Sequence, residues 1–212
     1  DDFNSGDNEG VGYFEVNQRS GWRWNASKAF LRPVRKRANL TILTEAHVER
    51  LVIDAKAAGR KVCKGVTVRH RGQKVEYASR RDVILSAGAV GSPQILQLSG
   101  IGPGALLRKH GIDVAIELPG VGENLQDHLQ IRAVYKLTGA RTLNTLANSI
   151  VGKAMIGLEY ALKRTGPMSM SPSQLGAFTR SDPSQAHANV EYHVQPLSLD
   201  AFGEPLHGFP AL

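Results

Sequence analysis

Apolar and polar residues alternate through residues 48–54 (VERLVID), 62–68 (VCKGVTV) and 74–78 (KVEYA). Alternation of this kind predicts half-buried strands. Turns at 57–59 (AAG) and 71–72 (RG) join them into an antiparallel meander. The meander lies between two continuous apolar runs, 40–44 (LTILT) and 83–85 (VIL). Such runs suit buried parallel strands, so these two are expected to be parallel members of a main sheet that the meander bridges.

Shorter elements surround this core. Residues 1–24 are rich in Gly, Asn, Ser and Asp, with Tyr13, Phe14 and Val16 as a strand-like island. Asn25-Ala26-Ser27 can cap a helix through Leu31, which Pro33 ends. Ser92 as N-cap and Pro93 at the first helical position predict a brief helix over 94–98, ended by Gly100 and Gly102. A short helix follows at 105–110, then strands at 112–118 and 130–137. Composition shifts near Thr138. Leu146, Ile150, Met155, Leu158 and Leu162 then give a helix over 143–163 an apolar face, and Gly166-Pro167 ends it. Strands are expected at 175–179 and 189–195, separated by the polar turn SDPSQAHA. DDFN at the start and AFGEPLHGFPAL at the end both read as cuts through a longer chain.

Composition narrows the function. The chain has 212 residues, 42% of them hydrophobic, enough for one large core or two small ones. No run approaches the ~18 apolar residues of a membrane span. The polar N-terminus is neither a signal nor a transit peptide, so the cytoplasm or a membrane periphery is expected. The single Cys63 excludes an internal disulfide and reads as a small buried hydrophobe. The formal net charge is +7, with basic clusters at 32–37 and 68–82. Aromatic residues are only 6%, whereas nucleic-acid binding favours aromatics interleaved with the basic groups. Solvated basic faces are the better reading, and no nucleic-acid partner is expected. A non-catalytic module that binds acidic partners stays open as an alternative.

The stretch 82–104 (DVILSAGAVGSPQILQLSGIGPG) is the strongest candidate for chemistry. An apolar strand would there meet a turn of small residues, Ser86-Ala87-Gly88-Ala89, and then a helix N-terminus. That arrangement admits a large polar ligand against the backbone, although a plain packed turn would look the same. G-x-G-x-x-G is absent; Gly10, Gly12, Gly100, Gly102, Gly120 and Gly122 supply only G-x-G pairs. The seven histidines show no metal spacing. In Asp127-His128 the two side chains would point to opposite faces of a strand. Asn124 and Asp127 are read instead as closing their loop onto the backbone. His193 reads as a satisfied or surface histidine. Ser92 and Ser99 lack a nucleophile elbow, and no nucleophile and base set is found.

SAGAVGSPQILQLSGIGPG and LPGVGENLQDH (118–128) resemble two signatures of the glucose-methanol-choline (GMC) family of flavin oxidoreductases, in order and at suitable spacing. EGVGYFEVNQRSGWRWNASKAFLRP, RKRANLTILTEAHVERLVID and RTGPMSMSPSQLGAFTRS are similar to further family segments, within its choline- and alcohol-dehydrogenase branch. The resemblance implies α/β plus α+β architecture: a partial FAD-binding, doubly wound domain with a β-meander, joined to part of an antiparallel-sheet substrate domain. The boundaries implied are a lead-in at 1–24 packing at the domain interface, flavin-domain residues 25–129 and substrate-domain residues 130–212. Val48, Ser86, Ala87 and Gly88 are implied as contacts to the adenosine end of FAD, Val48 through its backbone. The implied reaction oxidises a small primary alcohol, choline among the candidates, to an aldehyde. A lyase on the same scaffold is the alternative within the family. The family's pyrophosphate-cradling strand and its catalytic-histidine segment have no counterpart in the chain, so no histidine here takes that role. A chain of this extent is expected to lack turnover and to hold FAD weakly or not at all.

Overall fold

The structure, a computed structural model, describes residues 2–6, 8–54, 60–201 and 203–212. In chain order the strands are β1 (Gly10–Tyr13), β2 (Gln18–Arg19), β3 (Trp22–Arg23), β4 (Ala46–Asp54), β5 (Val62–His70), β6 (Gln73–Ala78), β7 (Ile101–Gly102), β8 (Ile116–Glu117), β9 (Leu175–Thr179) and β10 (Val190–Val194). The helices are α1 (Arg32–Val34), entered through a π-turn at Ser27–Leu31, α2 (Gly88–Leu98), α3 (Gly104–Lys109), α4 (Leu143–Ala147) and α5 (Ile150–Lys163). The chain forms two compact units, one of Asp1–Leu40 with Ile131–Leu212, the other of Thr41–Gln130.

The 41–130 unit contains the expected meander, in the order β4-β5-β6 with both pairs antiparallel. Arg71 (φ 49°) and Gly72 (φ 82°) make its second turn; the first, at 57–59, lies outside the described residues. Two register shifts explain why the apolar pattern is not strictly periodic. Val48 faces Val68 while Arg50 faces Thr67, so Glu49 is an extra residue. That insertion brings Val48 to the same face as Leu51 and Ile53, an odd step away. Lys64 is likewise extra between Val52–Gly65 and Ile53–Cys63, which puts Cys63 on the face of Val66. The core of Leu51, Ile95 and Ile101 packs against Val48, Ile53, Cys63 and Val66, with Val83, Leu85, Leu96 and Ile116 beside them. Cys63 is thus half-buried core, and its thiol lies 3.5 Å from the Gly65 carbonyl oxygen.

The two outer runs correct the expectation. Neither 40–44 nor 82–86 joins a ladder among the described residues. A strand exists only through a paired neighbour, and none is present for either. Ile84 accordingly is 88% exposed, while Val83 and Leu85 turn onto the core. The parallel pairing among the described residues is instead β7 with β8. The strand expected over 112–118 contracts to β8. Glu117 on that strand accepts from the Gly104 N–H at 2.7 Å and so caps α3.

The other unit is built on an antiparallel sheet, β1-β9-β10. The strands at 175–179 and 190–194 are close to expectation. Asp182 shapes their connection by accepting from the Ser184 N–H at 2.8 Å. The Ser184 side chain and backbone N–H together hold the Asp182 carboxyl below its ordinary value of 3.8. Part of the lead-in is the sheet's edge strand β1. Residues 25–40 also fall in this unit rather than with 41–129. Lys28 ties them there, donating to the Arg23 carbonyl at 2.9 Å and lying over the rings of Trp22 and Trp24. The helix expected over 143–163 is two helices. Ser149 breaks it, accepting from the Gly152 N–H at 3.3 Å as the N-cap of α5. The strand expected at 130–137 is reduced to a bridge between Lys136 and Ala211. Among the described residues no helix is long and apolar enough to cross a membrane.

Candidate functional site

The candidate site lies wholly within the 41–130 unit. Residues 82–86 run extended onto the core and then turn at Ser86-Ala87-Gly88, all three exposed. Gly88 has φ +87°, a conformation open to glycine and strained for other residues. No atom lies within 4 Å of where a Cβ would stand on it. Helix α2 begins at Gly88, not at Gln94. Ser92 is therefore not its N-cap; its Oγ reaches back and accepts from the Ala87 N–H at 2.9 Å. Pro93 sits inside the helix, where its missing N–H leaves the Ala89 carbonyl unpaired within α2. Ala89 and Val90 are exposed as well, Val90 at 70%. The first four N–H groups of a helix have no intrahelical acceptor, and here they rise from an exposed, small-residue turn.

Two side chains fix α2 in place, and neither was legible in the sequence. Ser99 Oγ accepts from the Leu51 N–H of β4 at 2.7 Å and donates to the Ile95 carbonyl at 2.5 Å. Gln97 Nε2 donates to the Val121 carbonyl at 2.9 Å and so docks the 118–128 loop on the helix. Gly122 (φ +88°) permits this approach, since a Cβ there would lie 2.6 Å from Gln97 Nε2. Within the loop Asp127 accepts from the His128 N–H at 2.8 Å, as expected. Asn124 differs: its Oδ1 accepts from the Gln126 side chain at 2.9 Å. Val48 is half-buried, its side chain on the core beside the Glu49 bulge. Glu49 forms an ion pair with Arg69 at 2.5 Å.

The histidines do not assemble a site. His193 is half-exposed, 2.8 Å from Glu191 and with its ring 4.9 Å from that of Phe14. His70 meets the Tyr77 hydroxyl at 3.4 Å. No group of metal-ligating side chains occurs among the described residues. A shallow cavity of about 290 Å3 belongs to the other unit, between Tyr13, Phe14, Gln18, Met170 and Gln174. It holds no ionisable side chain in its lining other than Tyr13.

Residues 1–130 match the family model described as GMC oxidoreductase. The chain belongs to the GMC oxidoreductase family. This GMC chain is 38% identical over 97% of its length to alcohol dehydrogenase [acceptor] of Pseudomonas putida. It is 36% identical over its whole length to oxygen-dependent choline dehydrogenase of Brucella ovis. It spans 37% and 38% of those two proteins. Among solved structures it is similar to formate oxidase of Aspergillus oryzae, studied for modification of its FAD, with a TM-score of 0.62 and 33% identity. That match covers 69% of this chain and 25% of the oxidase. An FAD-dependent oxidoreductase from Chaetomium thermophilum gives a TM-score of 0.71 at 26% identity, over 82% of this chain and 30% of that one. A fungal aryl-alcohol oxidase gives the same TM-score at 28% identity. The GMC match includes the meander, α2 and the 118–128 loop within its 130 residues.

Proposed function

We propose that this chain is the central part of an FAD-dependent oxidoreductase that oxidises a primary alcohol, choline among the candidates, to an aldehyde. The observation that carries this reading is the exposed turn Ser86-Ala87-Gly88 at the head of α2. It combines small side chains, an empty Cβ position and a helix N-terminus within a GMC sequence. That arrangement fits the adenosine end of FAD. Ser86, Ala87 and Gly88 would receive it against their backbone, together with the backbone of Val48. Val48 pairs with Val68 immediately before the bulge at Glu49. Bound FAD would supply the acceptor for the hydride that leaves the alcohol carbon. The 41–130 unit would belong to a doubly wound flavin domain, and β1-β9-β10 with α4 and α5 to a substrate domain. No histidine here is assigned the alcohol proton, so the chain alone would have no turnover; without a G-x-G-x-x-G strand to cradle the pyrophosphate, it would have weak or no affinity for FAD.

The test has two arms. The full protein carrying this chain is assayed anaerobically for flavin bleaching with an alcohol panel that includes choline. Bleaching by a primary alcohol supports the reading; no reduction by any alcohol refutes it. FAD is then titrated into the isolated chain, where tight stoichiometric binding would overturn the expected weakness.

A further inference from the structure

Strand β4 has β5 along one edge and, among the described residues, no strand along the other. Backbone polar groups of successive strand residues point to alternate edges. The Leu51 N–H donates to Ser99 Oγ, so Leu51 turns its polar groups to the edge away from β5. Leu51 faces Val66 and Val48 faces Val68, two steps apart on β5. The extra residue Glu49 makes that count even across the bulge. The N–H and carbonyl of Val48 therefore point to the same edge as those of Leu51. Without the bulge they would point at β5.

Val48 and Leu51 thus present their backbones ~7–10 Å apart along one edge. Ser99 occupies that edge at Leu51. It is also the C-cap of α2, whose head at Gly88 lies about 16 Å away along the helix. The cluster of Leu51, Ile95 and Ile101 packs α2 on β4 as well. Apolar packing is non-directional and tolerates sliding; a hydrogen bond of 2.7 Å does not. The Ser99 hydroxyl donates in turn to the Ile95 carbonyl at 2.5 Å, which leaves it one orientation. The link therefore runs from backbone to backbone, β4 to α2, with no free rotor between.

We propose that Ser99 is a positioning residue of the flavin site. By holding the Leu51 N–H it fixes the head of α2 against the stretch of β4 that carries Val48, so that both grip one ligand together. This rests on the reading of Val48 and the 86–88 turn as the seat of the adenosine end of FAD. Ser99 itself touches no part of that ligand; it acts through the two backbones it joins.

The test uses the full protein carrying this chain, stripped of FAD and titrated back. Flavin fluorescence gives the affinity and the number of sites. In Ser99→Ala the Kd for FAD is expected to rise at least about tenfold, and Ser99→Thr, which keeps the hydroxyl, restores most of it. A merely structural role would lower the number of sites and leave the affinity of the rest unchanged. Leu107→Val, which trims a buried side chain of α3, is expected to do only that. An unchanged Kd in Ser99→Ala overturns the inference, as does no rescue by Ser99→Thr or an equal rise in Leu107→Val. Gly88→Ala separates this from the reading beneath it. If Gly88→Ala weakens FAD and Ser99→Ala does not, the inference alone falls. If Gly88→Ala changes nothing, the reading of the turn falls and the inference with it. Should Ser99→Ala fail to fold, Ser99→Cys, a weaker acceptor, is judged by the same outcomes. Failure of both to fold overturns the inference, because the hydroxyl then serves the fold and not the site.

Discussion

Asn144 offers a sharp test of how the 198–212 segment is held. Its side chain is fully buried. Nδ2 lies 3.1 Å from the Ser198 carbonyl, 3.0 Å from Ser198 Oγ and 3.0 Å from the His207 carbonyl, while Oδ1 accepts from the Ser198 N–H at 2.8 Å. Asn144→Ala does not orphan all of these. The Ser198 carbonyl keeps the His207 N–H at 3.1 Å, and the His207 carbonyl keeps Asn148 Nδ2 at 2.9 Å. Ser198 Oγ keeps His207 Nδ1 at 2.9 Å. The Ser198 N–H is the group left without its acceptor. One orphaned buried donor and a small cavity together cost about 2–4 kcal/mol. Asn144→Asp keeps that acceptor but turns a second oxygen towards three others. The loss is then about 3–5 kcal/mol while the carboxylate is charged. Desolvation and the facing oxygens raise its folded pKa above the unfolded value. Its destabilisation is therefore full above the raised folded pKa and is relieved as pH falls through it, when the carboxyl becomes a donor. Urea unfolding followed by circular dichroism, at pH about 7.5 and about 5, measures both variants. A loss below about 0.5 kcal/mol for the alanine variant would refute the reasoning. An aspartate penalty that does not shrink on acidification would do so too.

Three further outcomes are expected. Ser99→Ala leaves the Leu51 N–H unpaired beside the core and lowers stability by about 1–3 kcal/mol, read as an earlier urea midpoint. Gly88→Ala costs the chain only about 1–2 kcal/mol for its left-handed backbone, since the space is open; in the full protein it weakens FAD far more, measured by flavin retention on gel filtration. The Asp182 carboxyl titrates below 3.8, so its support of the β9–β10 connection is complete above that value and fades as pH falls through the lowered pKa; a 13C-detected carboxyl titration checks it.

What the sequence disclosed follows the range of the interactions. The meander was legible because alternation and the Arg71-Gly72 turn act between neighbours. Its bulges at Glu49 and Lys64 were visible only as imperfect alternation. The runs at 40–44 and 82–86 have strand composition, but pairing is a property of two segments and one segment cannot report it. Pro93 and Ser92 carried a sound helix-start signal, overridden when Ser92 took the Ala87 N–H and the helix began at Gly88. Asn148-Ser149 was a local signal for the break between α4 and α5 that the apolar periodicity masked. The Asn144, Ser198 and His207 network spans more than sixty residues (Asn144 to His207, |i−j| 63) and has no sequence pattern at all.

The contact from Gln97 to Val121 joins the two stretches, 86–104 and 118–128, that resemble the family's signatures in sequence. Helix α2 and the 118–128 loop are separate words in the sequence but one piece in space, with Gly122 as the fitted seat for Gln97. They should therefore travel together when relatives are recombined. A chimera that takes α2 from one parent and the loop from another inherits a mismatched seat, whatever the quality of either motif. Crossover points for shuffling this region belong before residue 82 or after residue 128, not between them.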